Sequence, residues 1–282
     1  MSQLIQMNQR INAIETIKKI THATRLIAMS SHTRLANKEP IITHFQHEIT
    51  KLFAQLVHND TQKQASLFKL REDAVGSLYI IAGSQKGFCG TFNTALLKYV
   101  TLQLAKKTAN DRFITIGKKA SDYIRKQKIE PLENFTNLSS ASLSAITDRL
   151  TQAVLHHAPH FKEVIIISNK AKTFFVQKPE KTILLPIQSL SSISKNTDLG
   201  DYIWPESETE LLQKLSYLYL KVNIESLLFS SLVAEQSARF QSMDNATRNA
   251  EELLTTMRRD YNKLRQAKIT RELLELASSF ER

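Results

Sequence analysis

The chain has 282 residues, 42% hydrophobic and 7% aromatic, with a net charge of +11 and one cysteine. Those figures suit one or two domains and exclude both an internal disulfide and a zinc site built on several thiolates. They also point to an acidic partner, whether nucleic acid, anionic lipid or an acidic protein surface. No apolar run approaches the roughly 20 residues that span a bilayer. The opening MSQLIQMNQRINAIETIKK has no apolar signal core, and Glu15 sets it apart from an acid-free transit leader.

Residues 1–39 contain neither Gly nor Pro, so the chain is expected to begin with a long helix. Leu4, Met7, Ile11, Ile14, Ile17, Thr21, Thr24, Ala28, Ser31 and Leu35 recur at spacings of 3 and 4, the period of a coiled coil. After Thr21 this seam turns small and hydroxylic. Residues 10–38 carry six Lys/Arg against Glu15 alone, a net of +5. The N-terminal coiled-coil helix is assigned to residues 1–60.

All six glycines fall between residues 76 and 200, which sets the middle of the chain apart. GSLYIIAG (76–83), RFITIG (112–117), EVIIIS (163–168), KTFFVQ (172–177) and KTILLP (181–186) read as strands. TFNTALLKYVTLQLAKK (91–107) and SLSAITDRLTQAVLHH (142–157) have helical spacing. The alternation predicts a Rossmann-like α/β domain over residues 61–205. DLGDYIWPESE (198–208) is its exit loop, with Pro205 near the start of the last helix.

AGSQKGFCGTFN (82–93) follows a strand and opens a helix, which invites a nucleotide-binding reading. It fails both templates. Gly83 and Gly87 are one residue too close for a P-loop, Phe88 stands where its lysine belongs, and G-x-G-x-x-G is absent. An anion at the helix N-terminus is the lesser reading beside a structural turn. Cys89 has no neighbouring His to make it a nucleophile. His156, His157 and His160 cluster near a helix end, where solvated or capping roles outweigh metal binding. Glu251 and Glu252 read as a solvated helix face. No catalytic constellation emerges, and no cofactor or metal is expected.

Residues 206–282 again lack Gly and Pro. Phe240, Met243, Ala246, Ala250, Leu253, Met257, Tyr261, Leu264 and Ala267 continue the 3- and 4-residue spacing. A helix over this whole segment would be about 115 Å long at 1.5 Å per residue, and it needs a partner helix to bury its stripe. The N-terminal seam is that partner. Residues 255–271 carry six Lys/Arg against Asp260, again +5, so antiparallel pairing would gather both basic segments on one rod. The fold class is therefore α+β: a long antiparallel coiled coil of the terminal helices plus the central α/β domain.

These ends resemble the gamma subunit of F-type ATP synthase. RINAIETIKKITHATRLIA (10–28) is similar to that family's R-I-x-x-[IV]-x-x-x-x-K-I-T-x-A, matched by Arg10, Ile11, Ile14, Lys19, Ile20, Thr21 and Ala23. KGFCGTFN (86–93) resembles its R-G-L-C-G-x-[LY]-N, and VIIISNK (164–170) its strand ending in SNK. AEQSARFQSMDNATRNAEEL (234–253) and YNKLRQAKITRELLEL (261–276) resemble its most specific stretch. Departures lie mostly in the middle, where Ser84-Gln85-Lys86-Gly87 replaces T-D-R-G and Thr91 replaces a glycine. In the N-terminal helix, Thr24 replaces a common Met and Ser31 a common Lys.

The resemblance implies a non-catalytic rotor shaft. Its coiled coil enters a hexamer of alpha and beta subunits, and its α/β domain is a foot that meets epsilon and the membrane ring of c subunits. Arg265, Gln266 and Thr270 would hydrogen-bond loops of beta, and Lys18, Lys19, Arg258 and Arg259 suit beta's acidic loops. The chain would be peripheral, on the cytoplasmic face of a bacterial inner membrane, with membrane contact only through the complex and no nucleic acid. Two other classes stand beside this one. A basic coiled-coil nucleic-acid binder calls for stacking aromatics, and residues 10–38 have none. A nucleotide-dependent enzyme would need the Gly83–Gly90 loop.

Overall fold

The computed structural model describes residues 2–58, 74, 76–105, 108–187 and 208–280. In chain order these form α1 (Ser2–Ala36), α2 (Glu39–His58), β1 (Ser77–Ala82), α3 (Phe92–Leu104), β2 (Arg112–Ile116), α4 (Lys118–Lys126), β3 (Glu133–Phe135), α5 (Leu143–His157), β4 (Glu163–Thr173), β5 (Val176–Leu185) and α6 (Glu208–Phe280). The chain divides into two compact units, residues 1–30 with 239–282, and residues 31–238. The inner parts of both terminal helices, assigned above to the coiled coil, thus belong to the unit that holds the sheet. Of the exit loop expected at 198–208, residues 198–207 lie outside the described residues and Glu208 opens α6.

In the larger unit the sheet order is β3-β2-β1-β4-β5. The first four strands run parallel, and β5 returns antiparallel to β4. β1, β2 and β4 are near-continuous apolar runs because both faces of a parallel sheet are covered. Alternation sorts their side chains. Leu78, Ile80, Ile114, Ile116, Val164 and Ile166 share one core with Leu150 and Val154 of α5 and with Leu220, Ile224 and Leu228 of α6. Ile81, Phe113, Ile165 and Ile167 share the other with Leu96 and Val100 of α3 and with Ala120 and Ile124 of α4. From Leu220 to Ala238 no residue of α6 is exposed, and the buried set includes Ser231, Glu235 and Ser237 beside its apolar side chains. α2 fastens to it through Phe53 stacked on Tyr219, 4.6 Å between ring centres, and through Gln46, which bonds Asn223 at 2.9 Å and Ser226 at 2.6 Å.

Three features differ from the sequence reading. The single helix expected over 1–60 is two, because Pro40 has no N–H to continue the ladder to Ala36. Asn37 N–H closes α1 on Thr33 O at 3.1 Å, and Ile42 N–H restarts the ladder on Lys38 O at 3.2 Å. Residues 172–177 are not a strand of their own. They hold the turn of a hairpin, so β4 and β5 are both longer than expected. β3 and α4 are additional elements. The end of the helix expected at 107 lies outside the described residues.

Gly117, between β2 and α4, has φ +83°, and a Cβ there would press into the Gly83 carbonyl. Only glycine fits both conditions. Gly117→Ala is expected to cost about 1–3 kcal/mol of stability, read as a lower urea midpoint; an unchanged midpoint would show that this crossing of backbones relaxes freely.

Candidate partner-binding coiled coil

In the smaller unit, the buried and half-buried positions of α1 include 4, 7, 11, 14, 18, 21, 25 and 28. On α6 they include 243, 247, 250, 254, 257, 261 and 268. Both sets keep an unbroken heptad phase. The pairs across the seam fix an antiparallel register. Arg25 donates to Asp244 at 2.7 Å, Thr247 to Thr21 at 3.0 Å, Lys18 meets Glu251 at 2.9 Å, and Arg258 binds Glu15. Along this series the position on α1 falls as that on α6 rises.

Four expected seam residues are exposed: Ile17, Leu253, Leu264 and Ala267, the last beside half-buried Lys268. Leu253 is 46% exposed, and its neighbour Leu254, at 5%, fills the seam. Ile17 is 50% exposed, and Lys18 takes the heptad position. The phase follows helix geometry rather than apolar identity. Lys18 and Arg25 lay their stems along the seam and carry their charges to acids at its edge. Ile11, Met243 and Ala250 are buried, Ile14 and Met257 are half-buried, and half-buried Ala246 flanks Thr247. The hydroxyl pair Thr21–Thr247 is itself buried, so a polar layer lies within the seam.

The outer face holds the residues implicated in partner binding. Lys19, Arg259, Arg265, Gln266 and Thr270 are exposed. Thr270 donates its hydroxyl to Gln266 O at 3.0 Å. Lys18 and Arg258, named with them, already hold acids of the opposite helix. By the register of the pairs, α1 begins level with the region of Lys268. Beyond it α1 does not extend, and Leu273, Leu274 and Leu276 of α6 are 61%, 66% and 56% exposed. Exposed leucines grouped on one helix mark a surface that a partner covers.

The loop after β1 lies at the switch point where doubly wound sheets place ligands. Here its own side chains occupy it. Asn93 accepts from Ser84 N–H at 3.2 Å and donates to Cys89 Sγ at 3.0 Å. Gln85 Oε1 accepts from Lys118 N–H at 3.3 Å and Asn137 N–H at 3.1 Å, so it caps the start of α4. Cys89 is buried, and Asn169 holds the Phe92 carbonyl at 3.0 Å. Sequence reasoning missed these bonds because nothing in Gln85 or Asn169 announces its partner. At the end of α5, His157 lies 3.7 Å from Glu133 and edge-on to His156. Among the described residues no group of three or more His, Cys, Asp or Glu is placed to hold a metal.

A family model described as ATP synthase matches residues 3–281. An ATP synthase gamma chain of Campylobacter jejuni is 32% identical across 100% of this chain and 99% of that protein. One from Symbiobacterium thermophilum is 28% identical over 96% of this chain and 94% of its own. Among solved structures, a chain of the Euglena gracilis mitochondrial ATP synthase, described with OSCP, F1 and c-ring, superposes with a TM-score of 0.70. The alignment covers 99% of this chain and 94% of that one at 16% identity. A chain from the central stalk and c-ring of the Tetrahymena thermophila enzyme gives 0.56, also at 16% identity, over 80% of this chain and 99% of that one. At such identity these likenesses speak for the fold.

The Arg25–Asp244 pair is three-quarters shielded from solvent. Asp244→Ala is expected to lower the chain's stability by about 1–3 kcal/mol, since a partly buried cation is left unpaired. Replacing Arg25 by Met as well should recover most of that loss. Equal melting temperatures for Asp244→Ala and the parent would show that the pair does not hold the helices together.

Proposed function

We propose that this chain, which belongs to the ATP synthase family and is matched along its length by gamma chains, works through the outer face of its coiled coil. The chain is the non-catalytic central stalk of the F-type ATP synthase. It couples transmembrane ion flow to ATP synthesis or hydrolysis by driving conformational change in the subunits that carry the nucleotide sites. The contacts by which it does so are our reading. The carrying observation is the outer face itself: exposed Lys19, Arg259, Arg265, Gln266 and Thr270, followed by a last stretch of α6 whose leucines α1 does not cover.

In this reading the coiled coil lies within a hexamer of alpha and beta subunits. Arg265, Gln266 and Thr270 bond loops of beta, and Lys19 and Arg259 face beta's acidic loops. Lys18 and Arg258 have a second task, since each closes the seam on an acid. The mechanism is a matter of differential contact. A rod with unlike faces presents different side chains to otherwise equivalent sites, and only such differences shift a conformational equilibrium. The sheet-bearing unit is read as the foot, meeting epsilon and the c ring. The complex would sit on the cytoplasmic face of a bacterial membrane, as fits relatives of bacterial origin. The chain meets the membrane only through it; among the described residues no helix is long and apolar enough to cross one. A nucleic-acid-binding coiled coil has no support beside a family match over residues 3–281.

Arg265→Ala with Gln266→Ala is expected to weaken assembly with the hexamer and slow coupled turnover, leaving the chain's own melting temperature unchanged. A charge-assisted hydrogen bond contributes about 1.5–3 kcal/mol, so losing one at the rate-limiting angle slows turnover roughly ten- to hundredfold. Normal turnover by an assembled double variant would show that the contact is dispensable.

A further inference from the structure

The far end of the β4–β5 hairpin carries charge that the fold does not balance. In the ladder Lys170 stands directly opposite Lys178. Like charges in that position destabilise a sheet. Both side chains are exposed, and neither has an ion pair among the described residues. The next cation, exposed Lys172, falls where the register shifts between Ala171 and Thr173, so it is the extra residue of a bulge. Bulges re-aim side chains. Glu180, the nearest acid along the ladder, stands opposite Ser168 and is half-buried. At the turn Phe175 is 70% exposed and Val176 41%.

Edge protection explains part of this. β5 is an edge strand, and Lys178, Pro179 and Lys181 discourage pairing with another sheet. It does not explain why Lys170 faces Lys178: past Ser168, where β1 no longer pairs with β4, cations on either strand would protect the edges without standing opposite one another. We propose that the tip of this hairpin, through Lys170, Lys172 and Lys178 beside Phe175, docks an acidic polypeptide segment of another subunit of the complex. Carboxylates between Lys170 and Lys178 would turn a repulsive pair into two attractive ones, and Phe175 would meet the apolar side of the same segment. A membrane surface is the poorer fit, because lipid-reading clusters hold about 4–8 basic residues, and the part of the hairpin beyond Ser168 carries three. The inference rests on the rotor reading only in taking the chain to be one subunit of a larger assembly.

The test is lysine footprinting and carbodiimide cross-linking, read by mass spectrometry, on the free chain and on the complex isolated whole. On assembly, acetylation of Lys170, Lys172 and Lys178 should fall severalfold while exposed Lys126 is unchanged. Carbodiimide should join these lysines to carboxylates of another chain. The triple change of all three lysines to Gln should abolish those links in a complex that still assembles. Equal acetylation in both states would overturn the proposal, as would links confined to this chain. Protection that appears only with phosphatidylglycerol vesicles, with no link to a protein carboxylate, would assign the tip to lipid and overturn it as well. If no other subunit copurifies at all, the rotor reading itself fails, which separates that outcome from the rest.

Discussion

Antiparallel pairing of α1 with the outer part of α6 is the interaction on which the functional half of the molecule depends. A lone helix draws little stability from its own hydrogen bonds, and this pair has few large apolar layers to offer. Between Ile11 and Ala28 the α1 side of the seam is Ile14, Lys18, Thr21 and Arg25. The contacts there are ion pairs and a hydroxyl pair, Lys18–Glu251, Arg25–Asp244 and Thr21–Thr247. Polar layers cost stability but fix register and orientation, because a slipped pairing leaves each group without its partner. For a rod that presents particular side chains to particular partners, register is the property that matters. It decides which residues face outward, and so which side chains a partner can meet.

The same helix serves the other unit by a different rule. From Leu220 to Ala238, α6 is buried through apolar packing against the sheet, α2 and the loop after β1. Cys89 and Phe92 pack on Ala234 and Ala238, where small residues let the loop come close. Beyond Met243 the burial narrows to a stripe. One continuous helix thus changes from a core element to half of a coiled coil, and the change shows in its burial: covered all round from Leu220 to Ala238, then only at every third or fourth residue. The loop after β1 shows how a doubly wound sheet serves as a scaffold. Gln85, Asn93 and Asn169 bond to the backbone and side chains that a ligand would otherwise meet.

Much of this was legible in the sequence for physical reasons. SLYIIA, RFITI and EVIII are runs that only a two-sided core accommodates, and they are strands. The long Gly- and Pro-free ends are helices. What escaped the reading was local or relational. ENF is too short to carry a period, and KKASDYIRK is too polar to resemble an element against a core. FF in KTFFVQ suggested a strand but marks a turn. Pro40 is visible where the Gly- and Pro-free run ends, and it breaks the helix that the assignment carries on to residue 60. The seam is legible in the spacing, but its phase at Ile17, Leu253 and Ala267 is not, because apolar or small side chains there stand beside the Lys18, Leu254 and Lys268 that complete the heptad. The residues proposed to face a partner come from resemblance alone. No feature of an exposed Arg265 or Gln266 distinguishes it from any solvated side chain until a partner is present.

The central claim is that the two helices turn as one body whose outer face carries the contacts. Thr21 and Thr247 touch across the seam at 3.0 Å, so cysteines in their place can be joined, with Cys89 changed to Ser to leave a single reactive pair. The measurement is ion-coupled ATP turnover of the complex with that disulfide closed and then reduced. The account predicts equal turnover in both states, since the locked pair is the pair that rotates. Loss of turnover on closing the disulfide, restored by reductant, would mean that the helices must move past each other, and it would contradict the rod.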